Sequence, residues 1–237
     1  MATQGAPAAY LRINAGALLL AGAIIFGPVP SLDRRDRLIA GAVLIVIFAL
    51  PLLTGPSING IARWLPLGPF ILHAGMLTIP SLLALAAHEE KLAPPVIAAA
   101  LLIALAQPDF ANAFALTGGA IGIYQVRSDW RVGLIVTVGF FVAVAAALQG
   151  ELPAALQGEL PAAPFVERII ITALRDAPAM AALLALSLGG AVAVMLFGTG
   201  LPRIARYPIG MSLVGFVLAS MISNYPTPLA GYGAAAI

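Results

Sequence analysis

The stretch from Leu92 to Val126 constrains the fold of this chain more than any other feature. Its 35 residues include one side chain that is charged at neutral pH, Asp109, which stands between two apolar runs in Gln107-Pro108-Asp109. So apolar a segment is expected inside a membrane, where a carboxylate at the centre costs about 2.5–3.5 kcal/mol on insertion scales. Asp109 is therefore either the N-cap of the helix after Pro108 or a cavity residue of a functional site, and the two roles are compatible.

The overall composition indicates a polytopic membrane protein. Hydrophobic residues make up 61% of the chain and charged residues 9%, whereas soluble domains have about 25% charged residues. We expect a single membrane-embedded domain over residues 1–237, an all-α bundle. A formal charge of +2 from scattered basic residues does not indicate nucleic acid as a partner. The chain has no cysteine and two histidines without ligand spacing, so we expect no metal centre.

Apolar segments predict about eight spans, several of them short for a bilayer that needs about 20 apolar residues. The shortest pair flanks Asp109, and such a break is tolerated only inside protein or beside a wet cavity. Small residues let helices approach closely, so Gly118-Gly119 and Gly189-Gly190 are interpreted as packing positions. The predicted spans are 11–30, 38–54, 69–88, 94–107, 110–126, 132–149, 177–198 and 207–223.

The distribution of basic residues predicts the orientation of these spans. If the chain crosses the membrane eight times, the larger set of basic residues falls on one side of it: Arg34, Arg35, Arg37, Lys91, Arg127, Arg131, Arg203 and Arg206. The smaller set falls on the other: Arg12, Arg63, Arg168 and Arg175. The larger set is expected in the cytoplasm, so both termini and the loop at about 150–176 face outward. A single span over 94–126 would instead place the later basic residues outside.

The segment from Gly60 to Phe70 holds the first candidate site on the outer side. Trp64 is typical of a membrane-interface belt, and Arg63 could extend its side chain to the interface beside it. Alternatively, the Arg63 guanidinium binds a phosphate through paired hydrogen bonds. Both interpretations are open at this point.

Two later segments hold further polar residues. The charges at 167, 168, 175 and 176 have the spacing of one helical face, which predicts an amphipathic interfacial helix. Glu167 either solvates the end of that helix or acts as a general base. After the last span, the segment from Asn224 to Gly233 contains two prolines and two glycines. It forms either a simple tail or a rigid turn that closes a cavity.

Taken in order, these segments resemble the SEDS family of polytopic cell-division and rod-shape proteins, the FtsW/RodA-like proteins. Gly60 to Phe70 matches the G-x-x-R-W-[IL]-x-L-G-P-F segment of the family, and Gln107-Pro108-Asp109 with Ala113 matches part of Q-P-D-x-G-x-A. Residues 160–170 resemble the outer L-P-x-x-x-x-D-F-I-F loop, and residues 228–233 the final L-P-[FL]-I-S-Y-G-G segment. The resemblance covers roughly residues 38–237.

The resemblance implies a function in peptidoglycan synthesis or cell division at the bacterial inner membrane. It implies a glycosyltransferase that uses lipid II, a polyprenyl-pyrophosphate-linked sugar. Glu167 would be the base for the acceptor hydroxyl, Arg63 would contact the pyrophosphate, and Asp109 would order the cavity. Trp64, Gln107 and Tyr232 would contact the substrate. No cofactor is required, although Asp109 could bind a divalent cation, and a single-span transpeptidase is the implied partner.

Departures from the family pattern keep a second hypothesis open. The family has Glu and Lys in Q-P-S-E-x-x-K after its G-P-F, whereas this chain has Met76 and Ile79 there, and its outer loop is short. The chain could therefore be a non-catalytic membrane subunit that binds a lipid or another transmembrane protein. A transporter with Asp109 at a broken helix is a further alternative.

Overall fold

The chain is described here from a computed structural model, which shows a bundle of α-helices with one short β-hairpin. The structure describes residues 16, 19, 32–57, 60–68, 70–149, 167–198 and 200–226. The helices of this part are α1 (Arg34–Ala49), α2 (Pro51–Thr54), α3 (Ala74–His88), α4 (Ala93–Ala106), α5 (Phe110–Arg127), α6 (Trp130–Gln149), α7 (Ile169–Asp176), α8 (Pro178–Phe197) and α9 (Arg203–Ile222). The hairpin consists of β1 (Trp64–Leu67) and β2 (Phe70–His73).

Four helical segments of the described chain are long and apolar enough to cross a membrane. They are Arg34–Thr54, which joins α1 and α2, together with α6, α8 and α9, while α3 and α4 are shorter apolar helices. The predicted helical architecture is thus confirmed, with helices on every predicted segment after the first. The number of eight spans stays a prediction, and the segment 11–30 lies outside the described residues apart from Gly16 and Leu19.

One end of the bundle is held together by charged side chains. Arg34 and Arg37 at the start of α1 contact Glu89, which follows α3, at 3.1 and 3.0 Å. The Arg127 side chain at the end of α5 donates to the carbonyl of Ala87 in α3. The start of α1 and the ends of α3 and α5 therefore lie together at what we term the charged end.

The break at residues 107–109 lies at the opposite end. The Gln107 amide donates to the carbonyl of Phe48 near the end of α1, at 2.7 Å. Because α1 starts and α5 finishes at the charged end, α4 and α5 are two helices of opposite direction joined at Asp109. A single continuous span over 94–126 is excluded.

The packing of α5 against α9 forms the centre of the bundle, and it depends on glycine. A Cβ at Gly118 would overlap the Met211 carbonyl, and one at Gly122 would overlap the Tyr207 carbonyl. These pairs show that α9 runs antiparallel to α5 with its backbone very close. The interpretation of Gly118 as a packing position is confirmed. A Cβ at Gly189 or Gly190 would meet nothing within 4 Å among the described residues, so the same interpretation of that pair stays a prediction.

The hairpin replaces the start of the predicted span 69–88. The two strands pair antiparallel with Trp64 opposite His73, and Gly68 in the turn has a φ of 60°, a left-handed conformation that glycine adopts without strain. The His73 ring accepts the Met76 N–H at 3.2 Å and so caps α3, which fixes the helix start at Ala74. The hairpin therefore places Trp64 beside His73 at the start of α3.

The predicted amphipathic helix is shorter than expected. It begins at Ile169, because Arg168 has a φ of 51° that turns the chain away from the helix axis. Glu167 instead forms an isolated antiparallel bridge with Pro226. The expectation that Glu167 and Arg168 share a helical face with Arg175 is therefore wrong.

Candidate functional site

Five polar side chains lie buried together at the end of the bundle opposite the charged end. We term Arg63, His73, Asp109, Asn112 and Tyr225 the buried polar cluster, and none is more than 4% exposed. They come from the residue before β1, the end of β2, the start of α5 and the turn after α9. Buried polar groups of this kind are costly unless they are paired, so their mutual contacts determine what the cluster can do.

Asp109 is both the helix cap and the negative charge of the cluster. Its Oδ1 accepts the backbone N–H of Asn112 at 3.0 Å, which is the N-cap interaction predicted from the sequence. Its Oδ2 accepts the Asn112 side-chain amide at 3.0 Å and lies 3.4 Å from Arg63 Nε. The predicted N-cap is therefore confirmed, and Asp109 also belongs to a buried ion pair, while its role in a functional site stays a prediction.

Arg63 is oriented by its backbone and by an aromatic ring. Its carbonyl accepts the Ala74 N–H at 3.0 Å, which ties the residue to the start of α3. Its guanidinium carbon lies 5.3 Å from the centre of the Tyr225 ring, a distance typical of a cation–π contact. With 4% exposure for both Arg63 and Trp64, the interpretation of this pair as an exposed membrane-interface anchor is wrong.

His73 completes the aromatic wall of the cluster. Its ring lies edge-on to Trp64 and Tyr225, with centroids at 5.2 and 4.9 Å. Because Nδ1 accepts the Met76 N–H, the neutral ring has its hydrogen on Nε2. Nε2 lies 3.9 Å from Asp109 Oδ2, beyond hydrogen-bond distance, and has no hydrogen-bond partner among the described residues.

The other residues predicted for the site fall into three groups. Gln107 is fully buried and binds the Phe48 carbonyl, so it stabilises the break between α4 and α5. Glu167 is half-buried, and its bridge to Pro226 places it opposite the residue that follows Tyr225. Tyr232 lies outside the described residues.

His73, Asn112 and Tyr225 are not among the site residues predicted from the sequence. The position of His73 directly after the Gly60–Phe70 segment was the signal that could have identified it. Asn112 stands three residues after Asp109, the spacing at which a side chain reaches a helix cap. Tyr225 belongs to the segment predicted to close a cavity, and it does cover the Arg63 guanidinium.

The space inside the cluster is very small. The pocket between Arg63, Asp109, Phe110 and Tyr225 has a volume of about 10 Å³, which is room for roughly one water molecule. Arg63 and Asp109 neutralise each other there. Within the described chain, no group of three His, Cys, Asp or Glu side chains could hold a metal ion.

A much larger apolar groove of about 530 Å³ begins one helical turn away. Phe110, which lines the small pocket, stacks on Phe114 of the groove with ring centroids 5.3 Å apart. The Thr117 and Thr137 hydroxyls in its wall donate to carbonyls of their own helices. The groove lies between α5, α6 and α9, and its wall includes Phe114, Gly118, Phe140, Phe141, Met211 and Leu218.

No protein-family model, curated protein or solved structure matches this chain.

Proposed function

We propose that this chain is a SEDS-like membrane protein that binds a polyprenyl-linked sugar at the buried polar cluster. It would act in peptidoglycan synthesis or cell division at the bacterial inner membrane. One observation carries the proposal. Arg63 from the first segment that resembles the family and Asp109 from the second meet in the cluster, and Glu167 from the third bridges Pro226, the residue after Tyr225. Arg63 and Asp109 are 46 residues apart in sequence, and chance similarity of the two segments would not require their side chains to meet.

The apolar groove supports a lipid as the ligand. Its two hydroxyls are already bonded, so its wall presents hydrocarbon and aromatic surface that suits a hydrocarbon chain. Phe110 lines the pocket beside Arg63 and stacks on Phe114, which lines the groove, so the two spaces lie one helical turn apart. An amphiphile could therefore place its anionic head near the guanidinium and its chain along α5.

In the proposed reaction, the Glu167 carboxylate removes the proton from the acceptor sugar hydroxyl. The hydroxyl oxygen attacks the anomeric carbon of the donor, and the bond from that carbon to the pyrophosphate oxygen breaks. Polyprenyl pyrophosphate leaves, and Arg63 stabilises its developing charge. Asp109 holds Arg63 in position and keeps it from moving into the apolar core.

The test uses the purified protein with lipid II and, as the partner, a single-span transpeptidase. We expect glycan chains from the wild type and a rate lower by roughly 10²–10⁴-fold with Glu167→Gln, which cannot accept a proton at neutral pH. Glu167→Asp should retain part of the rate. Asp176→Asn is the matched control, because that carboxylate is exposed at the far end of α7. Normal polymerisation with Glu167→Gln would refute the assignment of the base.

A non-catalytic, lipid-binding subunit is the second candidate function, favoured by the ion pair itself. Asp109 already neutralises Arg63, and the pocket beside them holds about 10 Å³. Such an ion pair can stabilise the fold without taking part in a reaction. Saturable binding of lipid II without any glycan product, even with the partner present, would establish this candidate and exclude the first.

A further inference from the structure

The buried polar cluster has a cover formed by the turn after α9. The helix ends at Ile222, and residues 223–226 continue in a non-helical conformation. Tyr225 is fully buried there, stacked on Phe216 at 5.8 Å and edge-on to His73. Its ring lies over the Arg63 guanidinium. The turn therefore separates the positive charge of the cluster from solvent.

This cover is incompatible with a ligand on Arg63. A phosphate group is far larger than the pocket of about 10 Å³ beside the ion pair. Ser223 and Tyr225 line one side of the pocket, whereas Asp109, Phe110 and Ala111 on the other belong to the start of the central helix α5. Because residues 223–226 lie beyond the end of α9, displacement of the turn would leave the backbones of α5 and α9 packed, although it would remove the Tyr225 ring from Phe216.

We propose that residues 223–226 are a gate, and that an anionic pyrophosphate head on a polyprenyl chain binds Arg63 only after Tyr225 has moved away. This inference rests on the proposed function, because it takes the ligand class from there. On opening, the Tyr225 ring leaves Phe216, His73 and the guanidinium, and the guanidinium gains charge-assisted hydrogen bonds to phosphate oxygens. The bridge between Pro226 and Glu167 then acts as the closing contact of the gate.

A disulfide at that bridge provides a reversible lock. Directly opposed residues of antiparallel strands have Cα atoms about 4.5–5.5 Å apart, within the range of disulfides. The chain contains no cysteine, so Glu167→Cys with Pro226→Cys can form one intramolecular disulfide and no other. The same protein is compared oxidised and reduced, so the loss of the Glu167 carboxylate is common to both states.

Trp64 reports on the gate because it lies 4% exposed beside His73. The only other tryptophan, Trp130, is exposed and is replaced by Phe in the background. The probe is undecaprenyl pyrophosphate in detergent micelles, titrated while Trp64 fluorescence is measured. We expect the oxidised protein to bind at least about 10-fold more weakly than the reduced protein. The single variants Glu167→Cys and Pro226→Cys should not respond to oxidation.

Equal affinity in the oxidised and reduced states would overturn the gate. Acrylamide quenching of Trp64 without ligand separates this failure from a failure of the proposed function. If neither state binds the probe but the reduced state is quenched more strongly, the gate exists and the ligand class is wrong. If neither state binds and quenching is equal, the gate is also refuted. Inorganic pyrophosphate as a second probe shows whether the head binds without its chain.

Discussion

Replacement of Asp109 by Asn separates the two roles of this residue. The Asn side-chain oxygen can still accept the Asn112 N–H, so the cap is retained, and Asn caps helices about as well as Asp. The negative charge is lost, however, and the new amide would face the Asn112 amide and the Arg63 guanidinium, both of which are donors. From the sequence alone Asn is expected to be tolerated, because only the cap is visible there. The structure predicts a clear loss of stability.

The magnitude follows from burial. The side chains of Arg63 and Asp109 are 5% and 1% exposed, and removal of one partner from a buried ion pair costs about 3–5 kcal/mol, because the remaining charge stays buried. The distance of 3.4 Å between Arg63 Nε and Asp109 Oδ2 is longer than a strong charge-assisted hydrogen bond. The expected cost is therefore near the lower limit of this range. We therefore expect the free energy of unfolding to fall by about 3 kcal/mol, roughly a 100-fold change in the folding equilibrium.

The measurement is SDS-induced unfolding in mixed micelles, followed by circular dichroism. Asp33→Asn is the matched control, because Asp33 also caps a helix, accepting the Asp36 N–H at 2.8 Å at an exposed position. This control should leave stability nearly unchanged. The double variant with Arg63→Met should recover part of the loss, with a coupling of about 1–3 kcal/mol. If Asp109→Asn is as stable as Asp33→Asn, the ion pair between Arg63 and Asp109 does not stabilise the fold.

Three further outcomes are expected. Gly75→Ala should lower the free energy of unfolding by about 1–3 kcal/mol, because its Cβ would overlap the Asn112 side-chain oxygen, whereas Gly41→Ala, in open space on α1, should be neutral or slightly stabilising in the same assay. Hydrogen bonds from Arg37 and then Arg34 lower the pKa of the Glu89 carboxyl from its usual 4.5. The ionised Glu89 carboxylate therefore contributes to the free energy of unfolding above pH 4.5, and this contribution is lost as the pH falls through the lowered pKa. The wild type should lose more stability between pH 6 and pH 3 than Glu89→Gln. Parallel pH profiles of the two proteins would contradict this. A reporter fused to the C-terminus should be active only outside the cytoplasm, since α9 ends opposite the charged end; activity of a cytoplasmic reporter would invert the topology.

Local features of the sequence were sufficient to predict most helix positions. Long apolar runs separated by charges and prolines marked the helices, because burial of backbone polar groups in an apolar medium requires helical hydrogen bonding. The cap at Asp109 followed from residue type and the preceding proline. The hairpin at 64–73 was not predicted, because its residues are as apolar as a helix and short apolar runs do not distinguish the two.

The helical, apolar architecture of this protein and the position of Asp109 at a helix start follow from residues close together in the chain, so both were predictable without the fold. The groups around Asp109 depend on the packing of distant elements. Arg63, which pairs with Asp109, is 46 residues before it, and Tyr225, which covers Arg63, is 116 residues after it. These contacts result from the direction of α1, α3 and α9 around α5. The same packing buries Arg63 and Trp64, for which an interface position was one of two interpretations of the sequence. The spacing of residues along a helix predicts which of them are neighbours within that helix. Burial of a residue where several elements pack together depends on the position of every one of those elements.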